Sequence, residues 1–237
     1  MYHVLLKGTE QQVLFMEDED RERLVEMLKL YKVLSGYKLF AYCLMENHFH
    51  LLLKIENEDL GLVVRRIAGS YVYWFNWKYY RRGSLFHERF KSEPVENEAC
   101  FLTVLRYIHL NPVRAGLCDR ADEYRFSSYN DIVNSDGFLI DVDEVSGFIK
   151  REDFIRFHDE ENNDTCLDVN EKGFRLSDRD AKMLVQKISK CKSPDEFQLL
   201  EEQLRDKYIK KLRGKGLSIR QVCRLTGISF AIVRRMK

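Results

Sequence analysis

Short apolar runs and longer helical stripes alternate along the first 130 residues of the chain. Residues 2–8, YHVLLKG, read as a strand closed by Gly8, and VLFM at 13–16 as a short second piece ahead of a charged segment. Acids at 17–20 favour a helix start; Leu24, Met27, Leu28, Tyr31 and Leu34 then recur at helical spacing until Gly36 stops them. YKLFAYCLM (37–45) and HFHLLLKI (48–55), separated by Glu46 and Asn47, have the profile of a β-hairpin. A second helix is predicted from about Asp59 to Tyr80, with Leu60, Val63, Val64, Ile67, Tyr71, Trp74 and Phe75 on its stripe. SLFHERFKSEPV reads as a further strand and NEACFLTVLRYIHLNP as a third helix, ended by Pro112. The order β-α-β-β-α-β plus a helix predicts an α+β fold, a ferredoxin-like split βαβ sandwich built on an antiparallel sheet.

Beyond residue 130 the pattern loosens. We expect three parts: a catalytic domain over 1–130, an acidic connector over 131–176, and a small all-α C-terminal domain over 177–237. In the last, LSIRQVCRLTGISFAIVRRMK carries two short helical stretches around a Thr-Gly turn, the layout of a helix-turn-helix at about 217–236, with Ser229 as cap of its second helix.

Charge sharpens this division. The net charge is only +1, but residues 131–171 hold 13 acids against 3 bases, whereas from Arg205 to Lys237 a single acid, Asp206, stands among 11 Lys and Arg. A basic end after an acidic stretch suggests a nucleic-acid partner. No apolar run approaches the ~20 residues of a membrane span, and no targeting signal opens the chain, so a cytoplasmic protein is expected. The six cysteines lie far apart without a Cys-x-x-Cys pair, which favours reduced thiols over zinc knuckles or disulfides.

The chemistry centres on His48 and His50. Side chains alternate across a strand, so both project to one face while Phe49 and Leu51 project to the other. Imidazoles bind divalent metals, yet an isolated His-x-His is more often structural, so support must come from elsewhere. RYIHLNP supplies it. On a helix Tyr107 and Asn111 are four apart and share a face; Asn111 offers an amide oxygen as third ligand, and Tyr107 a hydroxyl. His109 points about 200° away from Tyr107 and is not expected to join them. Tyr71, in a tyrosine-rich helix, sits on the apolar stripe and reads as core.

Four ordered blocks, AYCLMENHFHLLL (41–53), FNWKYYRRGSLFHERFKS (75–92), RYIHLNPVRAGL (106–117) and YRFSSY (124–129), resemble the signatures of the single-tyrosine transposases, specifically the REP-associated branch. The resemblance covers essentially residues 1–130. It implies a His-hydrophobe-His endonuclease that cleaves single-stranded DNA next to hairpins, with His48, His50 and Asn111 holding Mg²⁺ or Mn²⁺ and Tyr107 as nucleophile. Glu46 departs from the proline that commonly precedes the Asn-His pair. The chain begins almost at its first strand, without the short basic leader of many relatives, so hairpin recognition by such a leader is not expected.

The expected DNA contacts are Arg65, Arg66, Arg81, Arg82, Arg89, Lys91 and Arg114 around the site, and Arg220, Arg234 and Arg235 in the C-terminal helices. Trp74, Trp77, Phe86 and Phe90 are candidates for stacking on unpaired bases. The expected partners are single-stranded DNA with hairpins and, through the C-terminal domain, duplex DNA. A nucleoid-associated monomer or homodimer fits this reading. The alternative is a transposase-derived DNA-binding regulator without transposition activity; a third is a metallophosphoesterase using water as nucleophile.

Overall fold

The computed structural model describes residues 1–9, 13–87, 89–162, 164, 166, 178–215, 217 and 219–236, with backbone alone at 178–180 and 220. It divides into two compact units, residues 1–7 with 17–169, and residues 8–16 with 170–237.

The first unit opens β1 (Tyr2–Lys7), α1 (Asp18–Ser35), β2 (Lys38–Leu44), β3 (His48–Lys54), α2 (Leu60–Lys78), β4 (Lys91–Pro94) and α3 (Glu98–Arg114). The four strands form one sheet in the order β2-β3-β1-β4, with every pairing antiparallel. This is the expected split βαβ sandwich. Helix α1 begins where the acids predicted, with Glu17 and Asp20 in a capping box, and ends at Gly36 in the left-handed conformation (φ 65°). Asp59 caps α2 by accepting from the Leu62 amide, and Asn97 does the same for α3 at 2.9 Å from the Cys100 amide.

The hairpin strand β3 is buried along nearly its whole length. Both of its faces are covered, which explains why HFHLLL is a continuous apolar run rather than an alternating one. Helix α3 packs against β2 and β3 on the face that carries His48 and His50. Leu6, one residue from the Leu5 that pairs with His50, points to the opposite face, where it lines a hollow together with Val64 of α2.

Three expectations change. The strand read over SLFHERFKSEPV is only Lys91–Pro94, an exposed edge whose Pro94 needs no ladder donor. Pro112 does not stop α3, which runs two residues further to Arg114; in a last turn the missing N–H removes one bond and leaves the remaining ladder intact. The segment 13–16 forms no strand, and Val13 belongs to the core of the second unit.

Across the start of the expected acidic connector and within it, α4 (Tyr129–Val133), α5 (Val142–Phe148) and α6 (Arg151–Asp159) fold as part of the first unit. They anchor through partly buried side chains: Phe148 stacks on Phe101 at 4.3 Å between ring centroids, and Asp141 accepts from the Leu39 amide at 2.8 Å. Their periodicity is faint because α5 and α6 each bury only two residues, Val142 and Val145, Phe154 and His158, inside an acidic stretch.

The second unit is helical: α7 (Asp178–Ser189), α8 (Pro194–Gln198), α9 (Glu202–Gly214), α10 (Ile219–Thr226) and α11 (Phe230–Arg235). Leu184, Phe197, Ile209, Leu212, Val222 and Val233 form its core. Gly227, between α10 and α11, has φ 71°, which favours glycine at that turn. No described helix is long and apolar enough to cross a membrane.

Candidate active site

Strand β3 brings His48 and His50 to one face of the sheet, and both are fully buried. Each is held at Nδ1. His48 Nδ1 lies 2.6 Å from Asn47 Oδ1, and His50 Nδ1 lies 2.9 Å from Nε2 of His3 on β1. The two imidazoles meet edge to face with centroids 5.0 Å apart. Burial, then the neighbouring His48 and His3, holds the His50 imidazole well below the usual histidine range, so it is neutral at pH 7.

Helix α3 supplies the other wall. Asn111 Nδ2 lies 3.3 Å from His50 Nε2, so the two faces predicted from different parts of the chain do meet. Turning the amide over exchanges Nδ2 for Oδ1 and offers an oxygen at the same place. One turn earlier, Tyr107 sits edge-on to His50 at 5.9 Å and to His3 at 6.1 Å. Its far side is covered by the Arg114 guanidinium, 4.8 Å from the ring centroid, and only 3% of the side chain is exposed. Among the described residues, no three His, Cys, Asp or Glu side chains are grouped to hold an ion; the donor set is two imidazoles and an amide. That set fits a divalent ion whose remaining positions go to water or phosphate oxygens.

A model of the IS200-like transposase family matches residues 1–111, and so spans β1 through the helix carrying Tyr107 and Asn111. Residues 1–111 are thus similar to an IS200-like transposase domain. Among solved structures, a REP-associated tyrosine transposase bound to a REP hairpin matches with a TM-score of 0.53 at 14% identity, over 72% of this chain and 90% of that one. At that identity the likeness is one of fold. No curated protein sequence matches significantly.

The first unit treats its other tyrosines differently. Tyr71 is fully buried, and burial followed by the nearby Asp20 pushes its hydroxyl well above the usual range. Tyr79 donates to Asp20 and Glu17. His109, on the other side of α3, turns away from the site and meets His158 of α6 at 3.0 Å and Ser128 at 2.8 Å.

The expected DNA-contacting cations separate into groups. Arg65 and Arg89 are exposed beside a hollow also lined by Phe86 and Phe90. Arg82, Lys91, Arg234 and Arg235 are exposed as well. Arg66 is engaged by Glu58 at 2.7 Å and Ser35 at 3.1 Å. Arg81 is buried over the Phe75 ring, a position unsuited to DNA contact. Arg114 joins the Tyr107 site and also donates to Asn162 at 2.6 Å. The Arg220 side chain lies outside the described residues. Of the aromatics, Trp77 is 72% exposed, whereas Trp74 is covered by the Lys78 ammonium at 4.8 Å.

Sequence reasoning missed His3. Its only signal was the polar residue inside YHVLLK, and its role depends on the β1–β3 register, which pairs His3 with Leu52 and Leu5 with His50.

Proposed function

We propose that the first unit is an endonuclease and strand transferase that nicks and rejoins single-stranded DNA at hairpin-forming repeats through Tyr107. The observation that carries this reading is the convergence of Asn111 on His50, 3.3 Å away, with the Tyr107 ring against the same imidazole. Tyr107 Oη attacks the scissile phosphorus, forming an Oη–P bond as the P–O3′ bond breaks. The phenolic proton is lost, and the leaving oxygen gains one to become a free 3′-hydroxyl. The number of phosphodiester bonds is unchanged, so a second 3′-hydroxyl can reverse the step without ATP. Arg114, whose guanidinium lies 4.8 Å from the ring centroid, would offset negative charge as the phenol loses its proton.

His48, His50 and the Asn111 amide oxygen would hold the divalent ion, Mg²⁺ or Mn²⁺, which when bound supplies Lewis-acid polarisation of the phosphate. The chain's own contribution is two buried imidazoles, of which His50 is held neutral. The hairpin carried by the structurally similar transposase supports hairpin DNA as substrate. Exposed Arg65, Arg82, Arg89 and Lys91 would follow its backbone. In the second unit, α10 and α11 would act as a helix-turn-helix on duplex DNA, with Arg234 and Arg235 on phosphates.

The deciding experiment is Tyr107→Phe. It should abolish cleavage and the covalent protein–DNA adduct while DNA binding persists. An adduct that survives in this variant, or one mapped to Tyr71, overturns the assignment.

A further inference from the structure

The geometry points to Asn47 and His3 as positioning residues that lock His48 and His50 in the tautomer whose hydrogen is on Nδ1, leaving both Nε2 atoms to act as ligands. The inference rests on the proposed reading of His48, His50 and Asn111 as the metal-holding set.

Two separate contacts have the same form. His48 Nδ1 faces a side-chain amide oxygen, Asn47 Oδ1, at 2.6 Å. An amide oxygen can only accept, so His48 must carry its hydrogen on Nδ1. His50 is fixed from both ends. In the orientation that sets Asn111 Nδ2 toward the ring, the amide donates and His50 Nε2 is the acceptor at 3.3 Å. Nδ1 is then the protonated nitrogen and donates to His3 Nε2 at 2.9 Å, leaving the His3 hydrogen on its own Nδ1. His3 and Asn47 come from different elements, the first strand and the residue before the third, yet each meets the Nδ1 side of its histidine. Both are themselves buried, so water does not compete for these bonds.

The consequence is chemical. A free imidazole prefers its hydrogen on Nε2, the nitrogen farther from the backbone, and a ring in that state cannot offer Nε2 to an ion. A hydrogen-bond acceptor fixed at Nδ1 reverses the preference and also orients the ring. Without Asn47 and His3 the two imidazoles would be free to take the blocked form.

The test uses the full chain with isotope-labelled imidazole nitrogens, metal-free and at neutral pH, where long-range proton–nitrogen correlations distinguish Nδ1–H from Nε2–H. In the unmodified protein His48 and His50 should both be Nδ1–H; an Nε2–H form on either ring overturns the inference. His3→Phe should release the His50 tautomer and leave that of His48, Asn47→Leu should do the reverse, and Asn47→Asp, which keeps an acceptor, should behave as the unmodified chain. Mn²⁺ titration should show roughly 10- to 100-fold weaker binding in His3→Phe and Asn47→Leu, with affinity restored in Asn47→Asp. Unchanged tautomers and Mn²⁺ affinity in the first two variants overturn the assignment, and if His3→Phe fails to fold the spectrum of the unmodified protein still decides. Failure of the unmodified protein to bind Mn²⁺ and to cleave hairpin DNA would overturn the metal-nuclease reading instead, a result the metal-free tautomers do not depend on.

Discussion

Helix α3 separates two groups of buried histidines that look alike and differ in what they leave available. On one side His109 and His158 form a closed chain. The Phe154 carbonyl accepts from His158 Nδ1 at 2.8 Å, so His158 Nε2 accepts from His109 Nδ1, and His109 Nε2 accepts from the Ser128 hydroxyl. All four ring nitrogens are committed within the first unit. On the other side the Nδ1 atoms of His48 and His50 are tied to Asn47 and His3, and His50 Nε2 meets an amide that can turn over to present an oxygen. Burial is therefore common to both groups, and what distinguishes the candidate site is that His50 Nε2 meets an amide able to turn over, beside Tyr107.

The strongest way to break the comparison is to exchange the expected losses. His48→Ala should abolish metal-dependent cleavage of a hairpin oligonucleotide even by the molecules that remain folded, since it too empties a buried position. His109→Ala should cost about 2–4 kcal/mol of stability through a cavity and two lost buried hydrogen bonds, with cleavage per folded molecule unchanged. Chemical denaturation and single-turnover cleavage on the same samples decide; a cleavage defect in folded His109→Ala would erase the distinction.

Acid should act first on the closed group. Burial, followed by the neighbouring His158, holds His109 well below its ordinary 6.5, and burial lowers His158 to about 4. Both therefore fold neutral, whereas the unfolded chain takes up protons below pH 6.5. Stability should be full above that pH and fall as the pH drops toward 4, by up to about 1.4 kcal/mol per pH unit for each group. Replacing both residues with leucine should flatten the profile; an equally steep profile in that double variant would assign the acid sensitivity elsewhere.

The smallest effects concern cations around the site. Arg82→Ala should weaken hairpin binding a few-fold and reduce its salt dependence, because the exposed guanidinium has phosphate contact as its expected role. Arg66→Ala should change binding less, since Glu58 and Ser35 already engage that side chain. Equal effects in a salt titration would show that its ion pair yields to DNA.

Much of this was legible along the chain. Strand alternation placed His48 and His50 on one face, the spacing of four placed Tyr107 and Asn111 on one face of α3, and the 200° turn sent His109 elsewhere; these are local periodicities that a backbone obeys before it packs. Where local signals were weak they misled: Pro112 was read as the end of α3, and α5 and α6 vanished into acidic composition, since each buries only two side chains. Arg66 and Arg81 read as DNA contacts because charge in a sequence does not disclose its partner, and only packing set one against Glu58 and the other over Phe75.

By itself the sequence determined the order of elements and which residues share a face, because both follow from the fixed periods of strand and helix. Only the tertiary structure decided that those faces meet, that Asn111 reaches His50, and that His3, 47 residues away in the chain, touches that same ring. Such contacts depend on the β1–β3 register and on how α3 lies across the sheet, and neither is written in any short stretch of residues.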